Sequence, residues 1–97
     1  MHPREQPPPS LDLAKLKLPG KPKVRRVVIE PYVDHTGGDE LLVWILFDDA
    51  TTDREFMSPG VREAERVIMD AVMATGDARF PYTRLLRSRE YRRRRAC

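Results

Sequence analysis

The stretch Leu41-Leu-Val-Trp-Ile-Leu-Phe47 decides the fold of this 97-residue chain. All seven residues are apolar, and branched and aromatic side chains dominate, as is typical of β-strands. Because side chains alternate between the two faces of a strand, a strand that is apolar throughout is covered on both faces. Residues 41–47 therefore predict a central strand that is buried on both faces.

The segment before this strand predicts a hairpin partner for it. Residues 23–33 are rich in valine and isoleucine, which favour strands. Pro31 has no N–H for a β-ladder, so this strand lies at a sheet edge or carries a bulge. In residues 34–39, Gly37 and Gly38 supply the positive φ angles that hairpin turns need. Two sequential strands joined by a short turn are therefore expected.

The segment after the central strand predicts a loop, a helix and a third strand. Residues 48–57 are polar and acidic, which favours a loop. Ser58-Pro59 is typical of a helix start, and Gly76 of a helix end. Between them the apolar residues recur at helical spacing: Val61, Ala64, Val67, Ile68, Ala71, Val72. Residues 80–86 predict a third strand, with Pro81 again indicating an edge.

The order β-β-α-β predicts a small α+β domain with a three-stranded antiparallel sheet and one main helix. We expect a flexible Pro-rich tail over residues 1–21, disordered up to residue 10, with a short amphipathic segment at residues 11–18. Residues 22–88 form the single domain. Residues 89–97 form a basic, Arg-rich tail, either a frayed helix or disordered.

One helix covers only one sheet face, so the second face of the central strand needs a cover. Leaving three or four large apolar side chains in water forgoes about 1.5–3 kcal/mol each. The cover is residues 11–18, a second copy of the chain, or another protein. The predicted protein interface comprises Leu42, Trp44 and Leu46 on one face, with Tyr32 beside them. Val43, Ile45 and Phe47 point to the other face.

Charge is sorted along the chain into three blocks. Residues 1–26 carry seven basic and two acidic side chains. Residues 27–83 carry four basic and twelve acidic side chains, and residues 84–97 carry seven basic side chains and one acidic side chain. The blocks are therefore +5, −8 and +6, and they sum to the net charge of +3. Blocks of like charge usually mark surfaces that meet the opposite charge.

The basic C-terminus is the second functional candidate, because arginines interleaved with aromatic rings are typical of phosphate gripping and base stacking. The alternatives are a solvated tail or one that folds against the acidic middle. Arginine richness without asparagine is also what a GC-rich genome produces. The candidate nucleic-acid residues are Arg84, Arg87, Arg89, Tyr91, Arg92, Arg93, Arg94 and Arg95, with Tyr82 preceding them.

No residue pattern indicates an active site, a metal site or a cofactor. His35 beside Asp34 lacks a serine or cysteine partner for nucleophilic catalysis. The acidic residues around Asp48 match no calcium loop, and two histidines with one cysteine do not supply a zinc site. Gly37-Gly38 fits neither a phosphate loop nor a dinucleotide fingerprint. We expect no catalytic residue, no metal, no cofactor and no small-molecule ligand.

The leading hypothesis is a small, non-enzymatic bacterial protein that binds a protein partner or forms a homodimer through its sheet. A nucleic-acid or ribosome-associated role through the basic tail is the alternative. No apolar run approaches the roughly 20 residues of a membrane span. The N-terminus lacks a secretory signal and Cys97 has no disulfide partner, which favours the cytoplasm.

Overall fold

The computed structural model describes residues 6–96, with side chains to residue 95. The predicted disorder at the two ends falls partly on residues 1–5 and 97, which lie outside the described residues. After a 3₁₀ turn (Leu13–Lys15), the elements are β1 (Val24–Val33), β2 (Asp39–Phe47), α1 (Asp53–Phe56), α2 (Pro59–Ala74), β3 (Pro81–Arg87) and α3 (Ser88–Ala96). The class is α+β, as predicted.

The three strands form one mixed sheet in the order β1-β2-β3. β1 and β2 pair antiparallel, with Ile29 opposite Val43, whereas β3 runs parallel to β2, with Leu85 beside Ile45. The predicted antiparallel sheet is therefore wrong. The connection between β2 and β3 contains α2, which returns the chain along the sheet so that β3 starts where β2 started. Both outer strands contain the proline that predicted an edge.

The hairpin between β1 and β2 is closed by Asp34. Its backbone N–H donates to the Gly38 carbonyl at 3.1 Å, and its carboxylate accepts from the Thr36 and Gly38 amides at 2.9 Å each. Gly37 has a φ of +87°, which favours glycine at this position. The turn predicted from the glycine pair is confirmed.

Helix α2 covers one face of the sheet, as its apolar spacing predicts. The helix begins with Pro59 and ends at Ala74, and Gly76 follows with a φ of +85°. The core between helix and sheet consists of Leu41, Val43, Ile45, Phe47, Val61, Ala64, Ile68 and Val72, all buried. Residues 41–47 are buried at every position except Leu42, which is partly exposed.

Residues 11–18 dock on this same face. Leu11, Leu16 and Leu18 pack against the core under α2, next to the β1 residues Val27 and Ile29. Further towards the N-terminus, the carbonyls of Gln6 and Pro7 accept hydrogen bonds from Arg79. The segment therefore does not cover the second sheet face.

Two helices lie where the sequence predicts loop or tail. Helix α1 interrupts the acidic loop and starts with a capping box, in which the Glu55 amide donates to the Thr52 hydroxyl and the Thr52 amide to the Glu55 carboxylate. Helix α3 is formed by the Arg-rich end, which the sequence left as helix or disorder. Within residues 6–96, no helix is long and apolar enough to cross a membrane.

Candidate protein-binding face

The face of the sheet opposite α2 carries the alternate residues of β2, which are Glu40, Leu42, Trp44 and Leu46. Strand pairing arranges this face in rows across the sheet. Two rows, centred on Trp44 and Leu46, lie at the end of the strand where β3 leads into α3. The other two, centred on Glu40 and Leu42, lie towards the hairpin. The two halves of this face differ in what covers them.

Helix α3 covers the half around Trp44 and Leu46. Tyr91 inserts between the helix and the sheet, and only 7% of it is exposed, so it forms one cluster with Trp44 at 9% and Leu46 at 2%. The Tyr91 and Trp44 rings have centroids 5.3 Å apart and are tilted by 60°. This geometry is typical of a stabilising aromatic pair. We call α3 the lid helix.

Ion pairs and hydrogen bonds with the acidic middle of the chain fix the lid helix. At its first turn the Arg89 amide donates to the Asp49 carboxylate at 2.7 Å, and Arg92 pairs with the same carboxylate at 3.3 Å. At its other end Arg95 pairs with Glu30 of β1 at 3.4 Å. The lid helix therefore crosses the sheet from the end of β3 towards β1.

Glu30 also holds Trp44 in place. The indole N–H of Trp44 donates to the Glu30 carboxylate at 3.0 Å, which satisfies the polar atom of a nearly buried side chain. One carboxylate thus binds both the buried tryptophan and Arg95 of the lid helix. The guanidinium of Arg94 lies 5.8 Å from the centre of the Trp44 ring, within the range of a cation–π contact.

Four apolar side chains form a surface on the other half: Tyr32, Leu42, Phe80 and Tyr82. We call them the aromatic patch. Tyr32 and Tyr82 come from the two outer strands, and their rings meet edge to face across β2 with centroids 5.7 Å apart. Phe80 packs on Tyr82 at 5.0 Å and is 48% exposed. The other three members are partly exposed. Towards the patch, the lid helix contacts Glu30, which pairs with Leu42, and Trp44, whose cluster Leu42 packs against.

Acidic side chains surround the aromatic patch. Burial raises the pKa of the Tyr82 hydroxyl, and the nearby negative charges of Asp34 and Glu40 raise it further. The hydrogen bond from the Thr36 hydroxyl, followed by that from the Gly38 amide, lowers the pKa of Asp34 and keeps it ionised. Glu40 accepts a hydrogen bond from the Phe80 amide at 2.6 Å. The patch is therefore apolar at its centre and negatively charged at its rim.

The structure divides the four predicted interface residues into two pairs. Tyr32 and Leu42 belong to the aromatic patch and reach solvent, whereas Trp44 and Leu46 are buried beneath the lid helix. Sequence reasoning missed Phe80 and Tyr82 as members of this face. Phe80 and Tyr82 flank Pro81 and therefore point to the same face of their strand, which was a signal that they belong together. Only the parallel register of β3 places Tyr82 next to Leu42.

Most of the predicted nucleic-acid residues make contacts within the chain. Arg87 is the most enclosed of these arginines: its side chain is 13% exposed, donates to the Thr51 carbonyl and to Asp53, and lies over the Phe56 ring. Arg84 donates to the carbonyl of its neighbour Thr83. The remaining members lie on the lid helix, where Tyr91 is buried and Arg89, Arg92, Arg93, Arg94 and Arg95 are exposed.

A cleft of about 490 Å³ separates the lid helix from the start of β1. Its lining includes three arginines, Arg25, Arg26 and Arg92, and two aspartates, Asp48 and Asp49. Arg25 and Asp48 approach to 3.9 Å, so opposite charges already face each other there. Such a mixed lining favours neither an anion nor a cation.

Asp34 and Asp49, which belong to the acidic residues considered for catalysis or metal binding, make contacts within the chain. Asp34 closes the hairpin turn, and the adjacent His35 is exposed. Asp49 binds the lid helix, and the hydrogen bond from the Arg89 amide lowers its pKa. In the part of the chain that the structure describes, no three His, Cys, Asp or Glu side chains form a group that would hold a metal ion.

Comparison with known proteins identifies no relative: no protein family, curated protein or solved structure matches this chain.

Proposed function

We propose that this chain is a non-enzymatic protein-interaction module that binds its partner through the aromatic patch. The observation that carries the proposal is the contrast between the two halves of one sheet face. The lid helix buries Trp44 and Leu46, whereas Tyr32, Leu42 and Tyr82 remain partly exposed beside the half-exposed Phe80. Clustered, partly exposed aromatic rings of this kind are typical anchors at the centres of protein interfaces.

The chemistry of the patch indicates the kind of partner. Tyrosine rings offer a flat apolar surface with a polar tip, and the carboxylates of Asp34 and Glu40 lie at its rim. A partner surface that places apolar or aromatic groups at the centre and arginine or lysine around them is complementary to both features. We therefore propose a partner with a basic, amphipathic surface, reached in the cytoplasm.

A second candidate function is nucleic-acid binding through the lid helix. The observation that favours it is the exposure of its arginines: the side chains of Arg92 and Arg95 are 66% and 59% exposed even though each pairs with a carboxylate. Exposed ion pairs contribute at most about 1 kcal/mol, so phosphate oxygens compete for these guanidinium groups. Nucleic-acid binding of this kind does not use the residues of the aromatic patch.

Affinity capture separates the two functions. The purified chain, the variant Leu42→Ser/Tyr82→Ser and the control Met57→Ser are used as baits in native lysate, with and without nuclease. Met57 is 87% exposed and lies outside the sheet, so its replacement removes apolar surface elsewhere. We expect a partner that the wild type and the control retain, that nuclease does not release, and that the patch variant loses. Capture that survives in the patch variant but disappears with nuclease would support the second candidate instead.

A further inference from the structure

The sheet face opposite α2 has a basic end and an acidic end. The lid helix carries five arginines and one glutamate, and Arg26 and Arg84 add to the positive charge around it. The hairpin end carries Asp34 and Glu40 beside the aromatic patch. Two copies of a surface with opposite charges on its two halves are complementary when they face each other, because a half-turn places the basic half of each copy on the acidic half of the other.

The dimensions of the face fit the same arrangement. β2 has nine residues and is therefore about 30 Å long, while a helix with its side chains is about 10–12 Å in diameter. The lid helix also has nine residues, so its length of about 13 Å matches the width of three strands. One helix lying across the strands occupies less than half of the face. The rest of the face, which carries the aromatic patch, is wide enough for a second helix.

We propose that a second copy of this chain occupies the patch, with the lid helix of each protomer seated on the aromatic patch of the other. This inference rests on the proposed function of the patch and names its partner. A two-fold axis that lies parallel to the sheets and perpendicular to their strands relates the copies, and the two lid helices form one layer between the two sheets. The contact is isologous, so every patch residue contributes twice.

The charges of the lid helices are compatible with this layer. Arg92 and Arg95 are paired with Asp49 and Glu30 of their own chain, which neutralises part of the repulsion between two neighbouring helices. Exposed arginines of each lid helix meet the carboxylates of Asp34 and Glu40 of the second copy. Because these pairs lie at the rim, rising ionic strength weakens the dimer.

The size of the face sets the expected affinity. A sheet area of about 30 by 14 Å is small beside the roughly 800 Å² per partner of a standard interface, so we expect a weak dimer. Sedimentation equilibrium of the full chain from about 1 µM to about 1 mM covers the range in which such a dimer dissociates. We expect a concentration-dependent monomer–dimer equilibrium that shifts towards monomer between about 50 and 500 mM salt.

Two single substitutions and one control test the position of the contact. Tyr82→Ser and Leu42→Ser each remove a patch side chain, and we expect each to weaken the dimer by about thirtyfold or more because the loss occurs twice. The control Met73→Ser removes a side chain that is 56% exposed on α2, and we expect no change. A dimer that persists unchanged in both patch variants overturns the inference.

A paramagnetic experiment tests the arrangement without altering the patch. A nitroxide is attached to Arg92→Cys on a Cys97→Ser background, and this chain is mixed with isotope-labelled wild type. Only contacts between copies then broaden the observed signals. We expect broadening at Tyr32, Leu42 and Tyr82, and broadening at α2 instead overturns the arrangement.

Failure of this inference differs visibly from failure of the proposed function. A chain that stays monomeric at every concentration overturns the second copy as partner. If the patch variant then still loses a protein that the wild type captures, the patch binds a different partner. If the chain is monomeric and the patch variant captures the same proteins as the wild type, both are wrong.

Discussion

Replacing Tyr91 by alanine tests the anchoring of the lid helix. The side chain is only 7% exposed and packs on the Trp44 ring at 5.3 Å, so its loss leaves a cavity and frees the helix. Aromatic-to-alanine changes in cores cost about 3–5 kcal/mol, and we expect about 3 here because a terminal helix relaxes more easily than a core. That is a large fraction of the 5–15 kcal/mol typical of a domain's total stability.

The chain has one tryptophan, which makes the assay specific. Urea unfolding followed by Trp44 fluorescence gives the free energy of unfolding, and the emission maximum in the absence of urea reports whether the indole is exposed. We expect Tyr91→Ala to shift the emission to the red, because Trp44 meets water when the helix leaves. The control Tyr91→Phe keeps the ring and is expected to behave like the wild type.

A Tyr91→Ala variant with unchanged emission and a stability within about 0.5 kcal/mol of the wild type would refute this reasoning. The lid helix would then contribute nothing to the burial of Trp44. Loss of the whole fold would leave the point open, so near-ultraviolet circular dichroism of the folded baseline is recorded for each variant. We expect the far-ultraviolet signal of the sheet, recorded alongside, to remain and the near-ultraviolet signal of the Tyr91–Trp44 pair to disappear.

Three further predictions concern single residues. Gly60→Ala should destabilise the fold by about 1–3 kcal/mol, since a Cβ at Gly60 would collide with the backbone of residue 21, whereas Gly20→Ala has free space and should be neutral in thermal melts. Asp77→Asn should cost about 1 kcal/mol at pH 7, since hydrogen bonds from Arg79 lower the pKa of Asp77 to about 2. That stability is present above about pH 4 and is lost as the pH falls towards 2, so the variant and the wild type should converge there in denaturant titrations; a constant difference would contradict the assignment. In the same titrations, Arg87→Ala should lower the free energy of unfolding by about 2 kcal/mol, because its enclosed contacts are lost. The control Arg84→Ala, at an exposed residue, should lower it by less than about 0.5 kcal/mol. Equal effects of the two variants would show that the enclosed contacts of Arg87 are unimportant.

Local patterns were sufficient for the elements that carry their own signal. The apolar run from Leu41 to Phe47 predicted the central strand because every side chain in it has to leave water. Pro59 and Gly76 predicted the ends of α2 because one restricts φ and the other permits a positive φ. The pair Thr52 and Glu55 was an equally local signal for α1, and sequence reasoning overlooked it.

The direction of β3 had a signal in the order β-α-β, because a helical crossover is the usual connection between parallel strands, and sequence reasoning overlooked it. The position of the lid helix required information that no local window holds. The lid helix has one apolar anchor, Tyr91, and its remaining attachments join residues 40 to 65 positions apart, as in Arg95–Glu30. The sorted charges indicated that the basic C-terminus could fold against the acidic middle of the chain, but they did not indicate which residues would pair.

The division of the candidate interface follows from the same long-range contacts. Leu42 was predicted from the alternation of its strand and Tyr32 as an aromatic residue beside it, and both belong to the aromatic patch. Trp44 and Leu46 share that alternation but lie beneath a helix whose docking the sequence does not reveal. Tyr82 was assigned to the basic terminus because it precedes the arginines, although its strand places it in the patch.

A dilution series of amide spectra of the isotope-labelled full chain tests most directly whether this face binds a second copy. Between about 1 mM and about 20 µM, chemical shifts report on each residue as the protomers separate. We predict changes confined to Tyr32, Leu42, Tyr82 and the exposed side of the lid helix, with α2 unchanged. Spectra that do not change with concentration, or changes that fall on α2, would contradict the assignment of the aromatic patch as the contact surface between copies.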